Sequence, residues 1–94
     1  MAFYLTIPDL VESEPLLSLT PGSDGKTFSV VIAVGDTAVR LVHSHGIGEH
    51  LPLVVLTTDS QILALDSVYV TEISFAAGHS EAYVTFNAQD VRFV

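Results

Sequence analysis

The residues of this chain best suited to chemistry lie together in the stretch HSHGIGEH, residues 43–50. If the stretch is extended, His43 and His45 point the same way, and Glu49 or His50 can fold back across the glycines at 46 and 48. Three imidazoles and a carboxylate are donors that a divalent metal accepts. A plain connecting loop explains Gly-flanked histidines equally well. No metal and no other cofactor is therefore assigned, and His43, His45, Glu49 and His50 stand only as weak candidates. The remaining groups offer less. Glu12 and Glu14 flank Ser13 ahead of Pro15, and as solvated loop carboxylates they need no acid–base role. Gly46 and Gly48 lack the third glycine and the lysine of a phosphate loop, and PGSDG at residues 21–25 is a turn without the spacing of a serine nucleophile. The absence of cysteine removes disulfides, thiolate catalysis and cysteine-based zinc sites together. No catalytic residue emerges, and the chain is not read as an enzyme.

Composition narrows the partners. Ninety-four residues, 49% of them hydrophobic, suffice for one core, so residues 1–94 are read as a single β domain. Eleven acidic residues stand against Lys26, Arg40 and Arg92, a net charge of −8. Phosphate-backbone binding needs clustered Lys and Arg, so nucleic acid is not an expected partner. The carboxylates are scattered along the chain and suit a solubilising surface. Only 15% of residues are charged, against an average of about 25%, yet no apolar run approaches the roughly 18 residues of a membrane helix. The start, MAFYLTIPDL, carries no basic region followed by an apolar stretch and a cleavage site, so synthesis in a cytoplasm without a signal peptide is expected.

Runs rich in Val, Ile, Phe, Tyr and Thr recur between turn signals, and few apolar residues keep a helical rhythm. The pattern predicts an all-β fold, with at most one short helix, built as a small antiparallel β-barrel or sandwich. Strands are expected at residues 3–7, 16–20, 26–34, 37–43, 62–65, 67–76 and 81–93. In residues 26–34, Phe28, Val30, Ile32 and Val34 alternate with Thr27, Ser29, Val31 and Ala33, the period of a half-buried strand. Gly35-Asp36 is read as a tight hairpin. Residues 51–57, LPLVVLT, suit either a buried strand or a short helix. In the last hairpin, Tyr69, Thr71, Ile73 and Phe75 are assigned to the core with Ala82, Val84, Phe86 and Ala88. An irregularity is expected at Gln89-Asp90, with Val91 and Phe93 beyond it.

Two family resemblances follow. His-x-His-x3-Glu at residues 43–49 is similar to the first metal motif of the cupins, small β-barrels that often bind a transition metal, but the second half-motif fails: after His79, Ala82 stands where it requires Asn. This supports an alternative reading as a small metal-binding barrel protein or enzyme. The second resemblance is to the haemolysin-coregulated protein (Hcp) family, the tube protein of type VI secretion. Residues 66–94 match its C-terminal half: Val68, Val70, Thr71, Ile73 and Ser74 fit one strand, and Glu81, Val84, Phe86, Ala88, Val91 and Phe93 the next. At the start, Leu5, Ile7, Asp9, Leu10, Glu12 and Ser13 fit the family's opening segment. Residues 51–61 are laid on the family's single helix. The resemblance implies a non-enzymatic structural subunit of a contractile-injection or phage-tail-like apparatus. It also implies assembly into a homo-oligomeric ring, typically a hexamer, with other apparatus or cargo proteins as partners. The protein would then be secreted, or belong to an injection apparatus or virion.

The pattern reaches a similar place independently. Strands apolar on both faces in a chain with few charges ask for a second protein surface. Tyr83, Val91, Phe93 and Val94 are the residues expected at that oligomer interface. In the competing arrangement the last strand lies inside its own sheet and residues 51–56 cover its second face.

Overall fold

The computed structural model describes residues 2–78 and 80–94. Among these described residues seven strands and one helix follow one another as β1 (Phe3–Ile7), β2 (Val11–Leu16), β3 (Ser18–Pro21), β4 (Thr27–Ala33), α1 (Asp36–Ile47), β5 (Leu51–Thr57), β6 (Ile62–Phe75) and β7 (Glu81–Phe93). All pairings are antiparallel, in the order β2-β1-β5-β6-β7-β4-β3. The two outermost strands, β2 and β3, are joined through Leu17 alone, whose N–H donates to the Val31 carbonyl across 2.8 Å. One bent segment therefore belongs to both ends of the sheet and curls it into a half-barrel.

The core is the concave face. Phe28, Val30 and Ile32 of β4 are buried against Ala82, Val84, Phe86 and Ala88 of β7, as the alternation predicts. Leu5, Val54, Leu56, Leu65 and Val68 complete the apolar interior from the other half of the sheet. Residues 51–57 are strand β5, paired with β1 and β6, so they do not supply the family's helix. The carboxylates Glu12 and Glu14 lie in edge strand β2 rather than in a loop; Pro15, which cannot donate to a ladder, suits that edge.

The helix occupies residues expected to form a strand at 37–43 and a polar loop after it. Its signal is spacing rather than composition: Ala38, Leu41 and Ser44 fall on one face and are its buried residues. The β-branched Val39 and Val42 between them imitate a strand. Gly35 precedes the helix in extended backbone instead of closing a hairpin, and Asp36 in the first turn suits the helix dipole. At the far end Gly48 takes φ 66°, its N–H reaches the His45 carbonyl at 3.2 Å, and the Glu49 N–H reaches Ser44 at 2.9 Å. That is a Schellman stop, and it needs a residue free to adopt left-handed backbone.

On β6 the expected face assignment fails in its first half. Val68 and Val70 are buried opposite Ala88 and Phe86, while Tyr69 is 47% exposed and Thr71 also faces solvent. The cause is an extra residue between Val70 and Glu72, where the register against β7 shifts. Beyond it Ile73 and Phe75 return to the inner side, opposite Val84 and Ala82. A second change of phase is shared by both strands: Leu65 pairs with Val91 and Val68 with Ala88, and Ser67 between them has φ 54°. This lies across from the irregularity expected at Gln89-Asp90.

Candidate functional site

The four metal candidates are separated. His43 and His45 ride on α1, where two residues correspond to about 200° of rotation, so their side chains diverge. The His45 Nδ1–H donates to the Val70 carbonyl across 2.9 Å. His50 lies against Tyr69 with ring centroids 5.3 Å apart and tilted by 59°. Glu49 sits in the helix stop. Among the described residues no three His, Cys, Asp or Glu side chains gather where a metal could be held. His79, on which the second cupin half-motif turns, lies outside the described residues.

The interface candidates divide between two regions. Tyr83 is on the convex face of β7, 44% exposed, with Val31 and Ser74 as its cross-strand neighbours. Around it that face carries Thr27, Ser29, Thr85 and Asn87; Asn87 Nδ2 donates to Thr27 Oγ1 at 3.3 Å, and Thr71 Oγ1 donates to the Thr85 carbonyl at 3.3 Å. With Val68 and Val70 turned inward, the convex face is more polar than the period-2 reading of β6 makes it.

Val91, Phe93 and Val94 are at the other end of β7. Phe93 pairs with Leu63 yet is 71% exposed, and Val94, whose N–H donates to the Ile62 carbonyl, is 78% exposed. Together Pro21, Phe28, Leu63, Val91 and Phe93 line an apolar groove of ≈ 440 Å3 with Lys26 on its rim. The strand here is half open. β4 accompanies β7 only to Asn87, the Ala88 N–H reaches the Lys26 carbonyl, and β6 alone continues alongside residues 89–93. The Val91 N–H is met by its neighbour's carboxylate, Asp90 Oδ1, at 3.0 Å.

Charge is spent on structure. Arg92 grips Asp66 with two donors, Nε to Oδ2 at 2.7 Å and Nη2 to Oδ1 at 3.1 Å, and these bonds hold the Asp66 carboxyl below its usual range and raise the guanidinium. Arg40 donates to the Leu10 carbonyl, tying α1 to the β1–β2 turn. Asp24 accepts the N–H groups of Lys26 and Thr27 and the Thr27 hydroxyl, each at 2.9 Å, and these bonds lower its pKa. Sequence reading missed one exposed surface: Val39, 65% accessible, with Val42 and Ile47, all on α1. Recognising the helix from Ala38, Leu41 and Ser44 is the step that would have revealed it.

No family model and no curated protein matches the chain by sequence. Solved structures do. Hcp2 from Salmonella typhimurium superposes with a TM-score of 0.86 at 12% identity, over 97% of this chain and 83% of that one. Hcp1 from the same organism gives 0.81 at 12% identity, over 98% and 83%. A type VI secretion system effector from Yersinia pestis gives 0.79 at 10% identity, over 98% and 96%. Similarity at such low identity is similarity of backbone. It extends over nearly the whole chain, which therefore has the Hcp fold that its terminal segments resemble.

Proposed function

We propose that this protein is a non-enzymatic structural subunit that assembles with copies of itself into rings or tubes of a contractile-injection or phage-tail-like apparatus. The observation that carries the reading is the Hcp fold extending over nearly the whole chain. The surface supports it: Phe93, Val94 and Ile62 expose large apolar groups at one end of β7, beside a groove floored by Phe28 and Leu63. A monomer gains nothing by leaving such groups in water, whereas a neighbouring subunit would bury them. The ring expected is a hexamer, as in the family that the sequence resembles. Other apparatus proteins, or a cargo held within the ring, are its further partners, and its place is in the apparatus or outside the cell.

Native mass spectrometry across a concentration series tests the proposal, together with negative-stain imaging. A dominant species of about six chains that images as an annulus is the expected result. A single chain at every concentration would remove the reading.

A further inference from the structure

On the convex side of the sheet, the outward positions of β3, β4, β7 and β6 fall into rows across the strands. In the middle row Thr20 stands beside Ser29 and Ser29 beside Thr85, three hydroxyls at the strand spacing of about 4.8 Å. The Ser29 and Thr85 hydroxyls are 3.4 Å apart, and Thr71 on β6 adds its own by donating to the Thr85 carbonyl. One flanking row joins Thr27, Asn87 and Tyr69; the other joins Val31, Tyr83 and Ser74. Tyr69 and Tyr83, 47% and 44% exposed, thus stand at opposite corners of a polar field. They are four residues and one strand apart, roughly 14 Å from the strand rise and spacing. His50 braces the Tyr69 ring, with centroids 5.3 Å apart.

Charge and composition together decide what such a face can hold. None of these ten positions is charged, in a chain whose net charge is −8. The carboxylates at the border are Glu72, opposite Thr85, and Asp24, which accepts the Thr27 hydroxyl. Nucleic acids and anionic lipid surfaces need cations that these positions lack. A dry contact between proteins draws its energy from aromatic, Met and Arg anchors and is poor in Ser and Thr, which are the majority here. What fits is an uncharged molecule with apolar faces and a rim of hydroxyls, and a carbohydrate chain has both. Its C–H faces can lie on tyrosine rings, while Ser, Thr and Asn side chains both give and accept hydrogen bonds. We propose that this face binds a neutral, linear oligosaccharide laid from Tyr83 to Tyr69 across the Ser29–Thr85–Thr71 row. Asn87 commits one Nδ2–H to Thr27 Oγ1 at 3.3 Å and keeps its carboxamide oxygen and second N–H for a sugar hydroxyl. The whole face belongs to one chain, so the site does not depend on the assembly put forward under Proposed function.

Calorimetric titration of the wild-type protein with cellohexaose, and separately with chitohexaose, tests the proposal. Saturable binding of at least one is expected, and a preference for the second would show that the face reads an N-acetyl group. The acidic hexamer of galacturonic acid should bind about tenfold more weakly at low salt, because the chain's own charge repels it. Tyr69→Ala and Tyr83→Ala, each checked by circular dichroism, should weaken binding about tenfold, while Tyr4→Ala on β1, outside this face, should leave it unchanged. Failure of the folded wild type to bind either neutral sugar overturns the proposal. So does binding that survives both substitutions, that falls equally with Tyr4→Ala, or that is as tight for the acidic hexamer.

Discussion

The Nδ1–H of His45, near the end of α1, donates to the carbonyl of Val70 across 2.9 Å, at the bulge where β6 has lost β5 as a neighbour. A carbonyl can only accept, so this contact fixes the proton on Nδ1. It joins the helix to the sheet where the ladder leaves an oxygen without a strand partner. His45→Ala removes that donor, and leaving a part-buried acceptor unmet costs about 1–3 kcal/mol. The urea midpoint should fall with the denaturant slope unchanged.

His43, two residues earlier, faces solvent and should behave differently. His43→Ala is expected to change stability by no more than about 0.5 kcal/mol, as exposed substitutions usually do. Thermal unfolding of the wild type should also be the same with and without a strong chelator. A melting shift on chelation would revive the reading of residues 43–50 as a metal site.

Burial separates the two phenylalanines of β7. Phe86 is fully buried, and Phe86→Ala should cost about 3–5 kcal/mol through lost contacts and the cavity left behind. Phe93→Asp touches a side chain mostly in water, so the far-ultraviolet dichroism should be retained while the mass by light scattering falls to that of one chain. Unfolding of Phe93→Asp would show instead that Phe93 supports the fold itself.

The acid limb of stability should report on Asp24. Its carboxyl is held below the ordinary 3.8, first by the Lys26 N–H and then by the Thr27 hydroxyl. With the folded value below the unfolded one, folding releases protons. The contribution is therefore fully present above the unfolded value and is lost as pH falls through the folded one. Asp24→Asn should lower the melting temperature at neutral pH, where the wild-type carboxylate contributes in full, and converge with the wild type below about pH 4, flattening the acid limb. Asp66, held down by Arg92, should behave in the same direction, and the effect should weaken with salt because the pair is exposed.

The strands were legible wherever one neighbour on each side kept a two-residue period, as in β4 and the first half of β7. What escaped was set by geometry that leaves little local trace. The extra residue after Val70 turned Tyr69 and Thr71 outward, and only the pairing with Phe86 and Thr85 decides where the phase slips. Val39 and Val42 favour a strand locally, yet residues 36–47 form a helix because burying Ala38, Leu41 and Ser44 against the sheet outweighs that preference. Of the residues expected at an interface, Val91, Phe93 and Val94 stand out in the sequence as apolar positions at one end of β7. The groove beside them does not, since Pro21, Phe28 and Leu63 come from three separate strands.

The bent segment around Leu17 has a consequence for how the molecule comes into being. Its first half is held by β1 and its second by β4, and β4 is anchored on its other side by β7. A growing polypeptide that has not yet emitted residues 81–93 can pair β4 with β3 but cannot close the half-barrel. The early strands must wait, unfinished, for β7. Such a topology ties closure to the arrival of β7 and slows it, because its decisive pairings join residues far apart along the chain.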